Sequence, residues 1–191
     1  MYTYRKKKTV AIIHHAKQSY SEAIASYIQE GVKSVGLASE KYCCKDISNK
    51  LELLLDVDAI VFGSPTYFGS ASAEMKQFMD LTSKIWQNQL WKNKIASAFT
   101  HSSALSGDKL SVLQQFFTFA QQHGMIWVGL DIGSCQQNAD KNKLNYLGSW
   151  SGLMALNTDD AKDLPYDTKT DKLTAYYFGA RIAKITNGLN I

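Results

Sequence analysis

The sequence predicts an α/β protein in which a parallel sheet is covered by helices on both faces. Short apolar runs that are typical of buried strands begin at Val10, Ala59 and Ile95, and a segment with helical spacing of apolar residues follows each run. Five alternations of strand and helix predict a doubly wound sheet with right-handed connections. Open sheets of this class bind ligands at the carboxyl ends of their strands, so a site is expected at that edge.

Length and composition are typical of a single globular domain. The chain has 191 residues, of which 45% are hydrophobic and 20% are charged. No apolar run approaches the roughly 20 residues that span a bilayer, and the first residues lack the apolar stretch of a secretory signal. Three cysteines and four histidines occur without the spacing of a metal site or a disulfide framework, so we expect no metal and a reducing cytoplasm.

The net charge of +4 includes a basic run at residues 5–8. A run of this kind is more often a solvated tail than a binding site. Because no aromatic residues are interleaved with basic ones along the chain, we expect no nucleic-acid binding.

The first strand–helix unit has a well-marked helix start. A β-branched run at 10–13 predicts a central strand, and Ser19 stands three residues before Glu22, which is the capping-box pattern. We therefore expect a helix that begins after Ser19 and ends at Gly36. The loop at 14–21 then ends on a helix N-terminus, where free N–H groups and the dipole favour phosphate. Capped helices without a ligand share this pattern.

The stretch from Gly63 to Gly69 is predicted as a loop between a buried strand at 59–62 and a helix. Its glycines permit close backbone approach or positive φ, and Pro65 stiffens the turn. Tyr67 and Phe68 offer aromatic faces to a flat ligand, although an ordinary Gly/Pro turn has the same composition. The predicted inner face of the helix that follows consists of Ala71, Met75, Phe78, Met79, Thr82, Ile85 and Trp86.

The second half of the chain continues the alternation and then departs from it. Residues 131–170 lack periodicity and exceed the length of an ordinary connection, which favours a functional excursion. Further strands are predicted at 41–44, 95–99 and 125–130, a polar loop at 100–107, and a helix at 109–123 with Leu110, Leu113, Phe117 and Ala120 inside. We predict one domain over residues 1–191, with a core over 9–130, the irregular excursion over 131–170 and a C-terminal helix over 171–187.

Three predicted loops, after the first, third and fourth strands, meet at one edge of the sheet. The first favours a phosphate, the second a flat ring, and the third carries histidine and serine side chains that bind polar atoms. Flavin mononucleotide (FMN) is a phosphorylated, flat and polar ligand that fits all three.

The central stretch also resembles a known family. The sequence Gly-Ser-Pro-Thr-Tyr-Phe-Gly at 63–69, followed by residues 73–80 and 90–91, is similar to that of the flavodoxin-like NAD(P)H:quinone oxidoreductases typified by the Trp-repressor-binding protein A. His123-Gly124-Met125 also matches that family. The resemblance implies a flavodoxin-like three-layer sandwich with five parallel strands in the order 2-1-3-4-5. It further implies bound FMN, NAD(P)H as co-substrate, a quinone or similar small acceptor, and a homo-oligomer, either a dimer or a tetramer.

The same resemblance assigns roles to residues at matching positions. It implies contacts to the FMN phosphate from Ala16, Lys17, Gln18, Ser19, Tyr20 and Ser21. It implies contacts to the edge of the ring from Pro65, Thr66, Tyr67, Phe68 and Gly69. It implies contacts to other parts of the flavin from His101, Ser102, Ser103, Ala104 and Ser106.

The chain departs from the family pattern at four places. Ala16 replaces a hydroxyl residue, Gln18-Ser19 replaces a small glycine-containing step, and Tyr67 replaces a common arginine. The normally glycine-rich loop after the fourth strand reads His-Ser-Ser-Ala-Leu-Ser-Gly. Losing a hydrogen bond to a charged group costs about 1.5–3 kcal/mol, which weakens binding roughly tenfold to a hundredfold. Lys17 offers a compensating charge.

The resemblance implies a ping-pong reductase in which NAD(P)H and then a quinone occupy the same place. His123 is the candidate catalytic residue, because a histidine can donate a proton near neutral pH. A histidine that favours the helix dipole is the alternative. Tyr67, Phe68 and Trp150 are candidates for the wall of the substrate pocket. Core packing is the alternative for all three and is the favoured one for Trp150.

Two other functions remain open on the sequence. A flavodoxin-type carrier of single electrons would dock protein partners, usually through an acidic face, and the basic net charge argues against it. A flavodoxin-like binding module without tight FMN binding is supported by the altered phosphate loop, above all by Ala16.

Overall fold

The computed structural model describes residues 7–134, 143–157 and 168–189. The strands are β1 (Thr9–His14), β2 (Ala38–Cys43), β3 (Ala59–Tyr67), β4 (Ser70–Ala71), β5 (Ile95–Ser102), β6 (Ile126–Trp127) and β7 (Leu153–Leu156). The helices are α1 (Tyr20–Ser34), α2 (Cys44–Ile47), α3 (Ala73–Leu81), α4 (Ser83–Gln87), α5 (Lys109–Gln122) and α6 (Thr168–Gly188), with a 3₁₀ helix over Leu51–Leu54. No helix in these three ranges is long and apolar enough to cross a membrane.

The sheet has the predicted order but more strands than the predicted five. Its path is β2-β1-β3-β5-β6, with parallel pairing throughout, while β4 pairs antiparallel to β3 and β7 pairs parallel to β5. Two short strands share the outer side of β5, since Ile95 pairs with Ile126 and Phe99 pairs with Leu153. The predicted fifth strand is therefore divided, and its second part comes from the segment that was predicted to be irregular.

Apolar side chains on the two faces of the sheet form two cores. Alternate residues of β1 and β3 point to opposite sides, as the pleat requires. One core packs under α3, α4 and α5 and includes Ile13, Phe62, Phe78, Trp91 and Phe116. The other packs under α1 and α6 and includes Ile12, Ile28, Val61, Phe99 and Phe178. This is the three-layer arrangement that was predicted.

Helices α1 and α6 cross with their backbones in contact. A Cβ atom added at Gly31 would lie 1.9 Å from the carbonyl oxygen of Tyr176, and one added at Gly179 would lie 2.1 Å from that of Ile28. Both glycines are therefore required by packing, because no side chain fits between the two backbones.

The predicted loop at 63–69 is mostly strand. β3 runs on to Tyr67, because the ladder with β5 continues through the pairs Ser64–Thr100 and Pro65–His101. A proline is tolerated there, since the pairing with β1 has already ended at Gly63 and that side of β3 is open. Gly63 itself makes room for the buried ring of Phe99, whose nearest atom would lie 1.9 Å from an added Cβ.

Three further element predictions are corrected by the structure. The helix predicted after the central loop is broken at Thr82 into α3 and α4, and Trp86 of its predicted inner face is 50% exposed. The inner face of α5 is rotated, so that Phe116 and Phe119 are buried while Leu110 and Phe117 are exposed. This helix has apolar residues on more than one side, and the sequence pattern therefore fits two faces. The second strand lies at Ala38–Cys43 instead of 41–44, since it pairs with all of β1.

Candidate functional site

The loop between β1 and α1 is closed by local hydrogen bonds. Ser19 caps α1 by accepting a bond from the Glu22 N–H (3.2 Å), as the capping box predicts. The Glu22 carboxylate accepts from the Gln18 N–H at 2.6 Å, and Gln18 adopts positive φ (52°). The first turn of α1 has no intrahelical partners for its N–H groups, so the positive end of its dipole faces the sheet edge.

Lys17 is already paired in this loop. Its Nζ lies 2.6 Å from the Asp46 carboxylate on α2, which raises the pKa of Lys17 and lowers the pKa of Asp46. The neighbouring carbonyl of Ala16 accepts bonds from the Ser19 hydroxyl (2.5 Å) and from the ring of His14 (3.0 Å). The compensating charge expected from Lys17 is thus directed at Asp46 in this structure.

A buried histidine connects the first and third loops. His101 at the end of β5 has its Nε2 2.7 Å from the Ser21 hydroxyl in the first turn of α1, and its ring packs edge-on against Tyr20. Burial lowers the pKa of His101 to about 4, with smaller contributions from His15 and Lys109, so its ring is neutral at pH 7. The structure therefore brings together side chains that were predicted from two separate loops.

The tip of the β3–β4 hairpin presents two aromatic side chains to solvent. Phe68 (φ 49°) and Gly69 (φ 71°) form a two-residue turn with positive φ at both positions, which matches the twist of a hairpin. Tyr67 is 55% exposed and Phe68 is fully exposed, whereas Pro65 and Thr66 are buried. The core-packing interpretation of Tyr67 and Phe68 is wrong.

Helix α5 holds this hairpin tip in place. The Gly69 carbonyl accepts bonds from Ser111 Oγ (2.5 Å) and Gln115 Nε2 (3.2 Å). The Gln115 amide oxygen in turn accepts from Ser70 Oγ and from the Ala71 N–H, both at 3.2 Å. Ser111 and Gln115 were not among the predicted site residues, since polar residues on a helix carry no pattern that indicates a partner 42 or 46 residues away.

His15 supports the aromatic tip from the first loop. Its ring packs edge-on against Tyr67 with 6.2 Å between centroids, and its Nδ1 lies 2.8 Å from Ser72 Oγ. In a catalytic triad the serine and the carboxylate contact opposite nitrogens of the histidine. Here Glu74 approaches the same nitrogen as Ser72, at 3.8 Å, so these three residues do not form a triad. Burial raises the pKa of Cys44, whose thiol donates to the His15 carbonyl, to about 12. The thiol therefore stays protonated.

The third loop turns its carbonyl groups inward. Residues 103–106 have exposed side chains, yet the carbonyls of Ala104, Leu105 and Ser106 all accept bonds from the Lys109 ammonium, which is fully buried. Ser102 adds a bond from its hydroxyl to the Ala104 carbonyl (3.1 Å). The structure thus places Ser102, Ser103, Ala104 and Ser106 in an ordered loop. The sequence did not predict that a lysine holds this loop.

The three loops meet at the carboxyl edge of the sheet, as predicted. Besides the Ser21–His101 bond, Thr66 Oγ1 lies 2.8 Å from Thr100 Oγ1, which joins the ends of β3 and β5. Within the three described ranges, no group of three or more His, Cys, Asp or Glu side chains is arranged to hold a metal ion.

His123 lies away from these loops within one chain. It follows α5 and precedes β6, which pairs with the first residues of β5, whereas the loops follow the last residues of β5. The eight residues of β5 separate the two edges by about 25 Å at about 3.3 Å per residue. The ring is buried between Trp91 and Phe119, its Nε2 lies 3.1 Å from Thr82 Oγ1, and burial lowers its pKa to about 4.

A groove of about 840 Å³ runs between α5 and the α3–α4 pair. His123 and Thr82 lie at one part of it, together with the exposed ring of Trp86. Trp150, by contrast, is 51% exposed elsewhere, so the core packing favoured for it is wrong.

Comparison with known proteins identifies the family. A model of the family described as NADPH-dependent FMN reductase matches residues 8–137. The chain belongs to this family. Flavodoxin FldP from Pseudomonas aeruginosa is 36% identical over 140 residues, which cover 73% of this chain and 76% of that protein. An NAD(P)H dehydrogenase (quinone) from Trichlorobacter lovleyi is 28% identical over 200 aligned positions, covering 93% and 96% of the two chains.

Solved structures support the same conclusion. The flavodoxin, WrbA-like protein from Agrobacterium tumefaciens superposes with a TM-score of 0.70 at 27% identity, over 94% of this chain and 98% of that one. The predicted flavodoxin-like fold and family resemblance are confirmed. As a member of the NADPH-dependent FMN reductase family, the chain is an oxidoreductase with FMN as its cofactor and NAD(P)H as its substrate.

The residues at the carboxyl edge fit FMN. The first turn of α1 supplies N–H donors for a phosphate. The neighbouring Glu22 carboxylate is already paired, since it accepts from the Gln18 N–H and lies 3.3 Å from the Lys41 ammonium. Two exposed aromatic rings at the hairpin tip suit a flat ring system, and the third loop directs peptide groups at the same edge.

Proposed function

We propose that this protein binds FMN at the three loops and transfers two electrons from NAD(P)H to a quinone by a ping-pong mechanism. The exposed pair Tyr67–Phe68, held rigidly beside the loops by α5, is the observation that carries the proposal. Planar apolar molecules bind to exposed aromatic surface of this kind, and here two neighbouring rings are exposed together.

The FMN phosphate is assigned to the first turn of α1. The hydroxyls of Ser19 and Ser21 already have partners, and Lys17 is paired with Asp46. The Gln18 N–H already donates to the Glu22 carboxylate, so the other N–H groups of 16–21 and the helix dipole carry the phosphate interaction, which needs no hydroxyl at Ala16. This arrangement favours retention of FMN over the alternative of a binding module without flavin.

The ring system is assigned to the hairpin tip and the third loop. Residues 65–69 would line one edge of the ring, and residues 101–104 with Ser106 would contact its other parts. FMN, when bound, accepts two electrons from NAD(P)H and passes them to the acceptor. The chain's own residues orient the ring, exclude water from its buried side and leave the side beside Phe68 open to substrates.

A catalytic role for His123 requires a second copy of the chain. Within one chain, this residue lies at the opposite edge of the sheet and its ring is buried. We therefore keep His123 as a hydrogen-bond donor to the acceptor only within a dimer or tetramer, where a neighbour's groove would face the flavin edge. With a pKa of about 4 its ring is neutral at pH 7, so it has no acidic proton to transfer there. A flavin site that works as a monomer would exclude this role.

Steady-state kinetics test the proposed reaction. NAD(P)H oxidation by the FMN-loaded protein should require a quinone and give parallel double-reciprocal lines when both substrates are varied. The same assay with Phe68→Ala should show a raised KM for the quinone, by about tenfold, because the aromatic surface contributes on the order of 1 kcal/mol or more. Leu110→Ala, an exposed apolar change on α5, is the matched control. Lines that intersect would exclude the ping-pong scheme.

A flavodoxin-type carrier is the second candidate, because the 36% identical relative is named a flavodoxin. A carrier should hold FMN yet oxidise no NAD(P)H unless a partner reductase is added. The net charge of +4 favours the reductase, since carriers usually dock through an acidic face.

A further inference from the structure

Helix α5 begins with a buried lysine. Lys109 has 0% exposure, and burial lowers its pKa to about 8 although the Asp171 carboxylate opposes the shift. A buried ammonium costs free energy, and an apolar residue of similar volume is often neutral or stabilising at such a position. The partners of Lys109 therefore indicate what the charge is for.

All three partners are consecutive carbonyls of the third loop. The Lys109 Nζ lies 2.5 Å from the Ala104 oxygen, 3.1 Å from the Leu105 oxygen and 3.3 Å from the Ser106 oxygen. An ammonium group has three N–H donors, so the three carbonyls use all of them. Two of these carbonyls have a second donor, since the Ala104 oxygen also accepts from Ser102 Oγ (3.1 Å) and the Ser106 oxygen from the Lys109 N–H (3.2 Å).

The peptide geometry then fixes the direction of three N–H groups. In a trans peptide, C=O and N–H point to opposite sides of the unit. Because the carbonyls of 104–106 point inward to Lys109, the N–H groups of Leu105, Ser106 and Gly107 point outward. No backbone acceptor for these three N–H groups is found among residues 7–134, 143–157 and 168–189.

We propose that Lys109 is a positioning residue that holds the third loop with its N–H groups facing the flavin. Successive N–H groups on one side of a loop form a donor array that binds electron-rich atoms and anionic charge. The flavin ring carries carbonyl oxygens and ring nitrogens, and it gains negative charge on reduction. The inference rests on the placement of FMN proposed above.

This role explains the glycine-poor composition of the loop. The sequence at 101–107 has one glycine, at Gly107, where positive φ (53°) is required and an added Cβ would lie 2.1 Å from Ser102 Oγ. The loop backbone is therefore held from inside by a charged side chain, and its conformation does not depend on the freedom of several glycines.

The test compares Lys109→Met with wild type in two measurements. Amide hydrogen exchange of the flavin-free protein, followed by NMR, should show lost protection of the N–H of residue 109, which donates to the Ser106 carbonyl of the loop (3.2 Å), with unchanged or higher protection in β1 and β3. The protection of this amide is called the loop protection below. FMN titration should show affinity weakened by about tenfold or more. Lys184→Met, which removes an exposed lysine of α6, should match wild type in both measurements and controls for net charge.

A second variant covers the case in which Lys109→Met does not fold. Lys109→Gln retains two N–H donors and should lose less loop protection and less FMN affinity than the methionine variant. Retained loop protection with FMN affinity within about twofold of wild type would overturn the proposal, as would equal loss of protection in loop and core. Because exchange is measured without flavin, a wild type that fails to bind FMN would contradict the proposed function and leave this test intact.

Discussion

At the scale of single residues, His101 and His123 bring a pH dependence into the stability of the fold. Burial lowers the pKa of each to about 4, well below the ordinary value of about 6.5. Between these two values, the unfolded chain takes up a proton at each site and the folded chain does not. Stability should therefore fall as the pH decreases from about 6.5 to about 4.

Urea unfolding at pH 7 and pH 5 checks this dependence. Each buried histidine should lower the free energy of unfolding by about 2 kcal/mol over that interval. In His101→Gln, whose amide can still bond Ser21, the decrease should be smaller by about that amount. A decrease equal to that of wild type would show that His101 is protonated in the folded protein. Between pH 7 and pH 8, variant and wild type should show the same small change.

The residue scale is also where prediction from sequence was weakest. Ser19 and Glu22 were predicted to cap α1, because their contact is local and follows from a spacing of three residues. Gln115 was missed because the carbonyl of its partner Gly69 is 46 residues away in sequence. Lys109 was missed although its partner carbonyls are three to five residues away, because a lysine at the start of a helix carries no pattern that indicates inward carbonyls. His123 was assigned by resemblance to a family position, and one chain does not bring it to the loops.

At the scale of elements, the crossing of α1 and α6 depends on two glycines. Gly31→Ala and Gly179→Ala each place a Cβ within 2.1 Å of a carbonyl oxygen of the other helix. The backbone of the other helix cannot move aside to avoid the added Cβ as a flexible side chain could. Each change should therefore lower the free energy of unfolding by about 3 kcal/mol. Gly188→Ala at the end of α6, where nothing lies within 4 Å, should be neutral or stabilise by about 0.5 kcal/mol.

Denaturant unfolding of the three variants measures these changes. Loss of stability in Gly188→Ala comparable to that in Gly31→Ala would show that helix propensity or flexibility, and not the close crossing, determines the effect. The two severe variants should not be additive, since they share one interface.

Sequence patterns predicted elements well where the pattern and the tertiary contacts agree. Continuous apolar runs located β1, β3 and β5, because such a run indicates a strand buried on both faces even when its neighbouring strands are unknown. The extension of β3 through Pro65 was missed because Gly and Pro indicate a turn, whereas pairing with β5 decided otherwise. β7 was missed because four residues following a long irregular segment carry too little periodicity.

At the scale of the whole molecule, the fold places three loops of different chemistry at one edge, and this much was predictable from the order of elements. The orientation of the parts within that edge was not. The contact of the hairpin tip with α5 and the Ser21–His101 bond are tertiary features without a sequence pattern. The inward carbonyls of the third loop are a local feature, but no sequence pattern indicates them either.

Anaerobic absorption spectroscopy of the FMN-loaded protein shows whether the bound flavin passes electrons from a nicotinamide to a quinone. After desalting, flavin should remain near one per chain, and one equivalent of NADPH or NADH should bleach its visible band. Addition of one equivalent of quinone should then restore the band. Retained flavin that neither nicotinamide reduces would contradict the account and favour the electron carrier, while a protein that retains no flavin would contradict the assigned site itself.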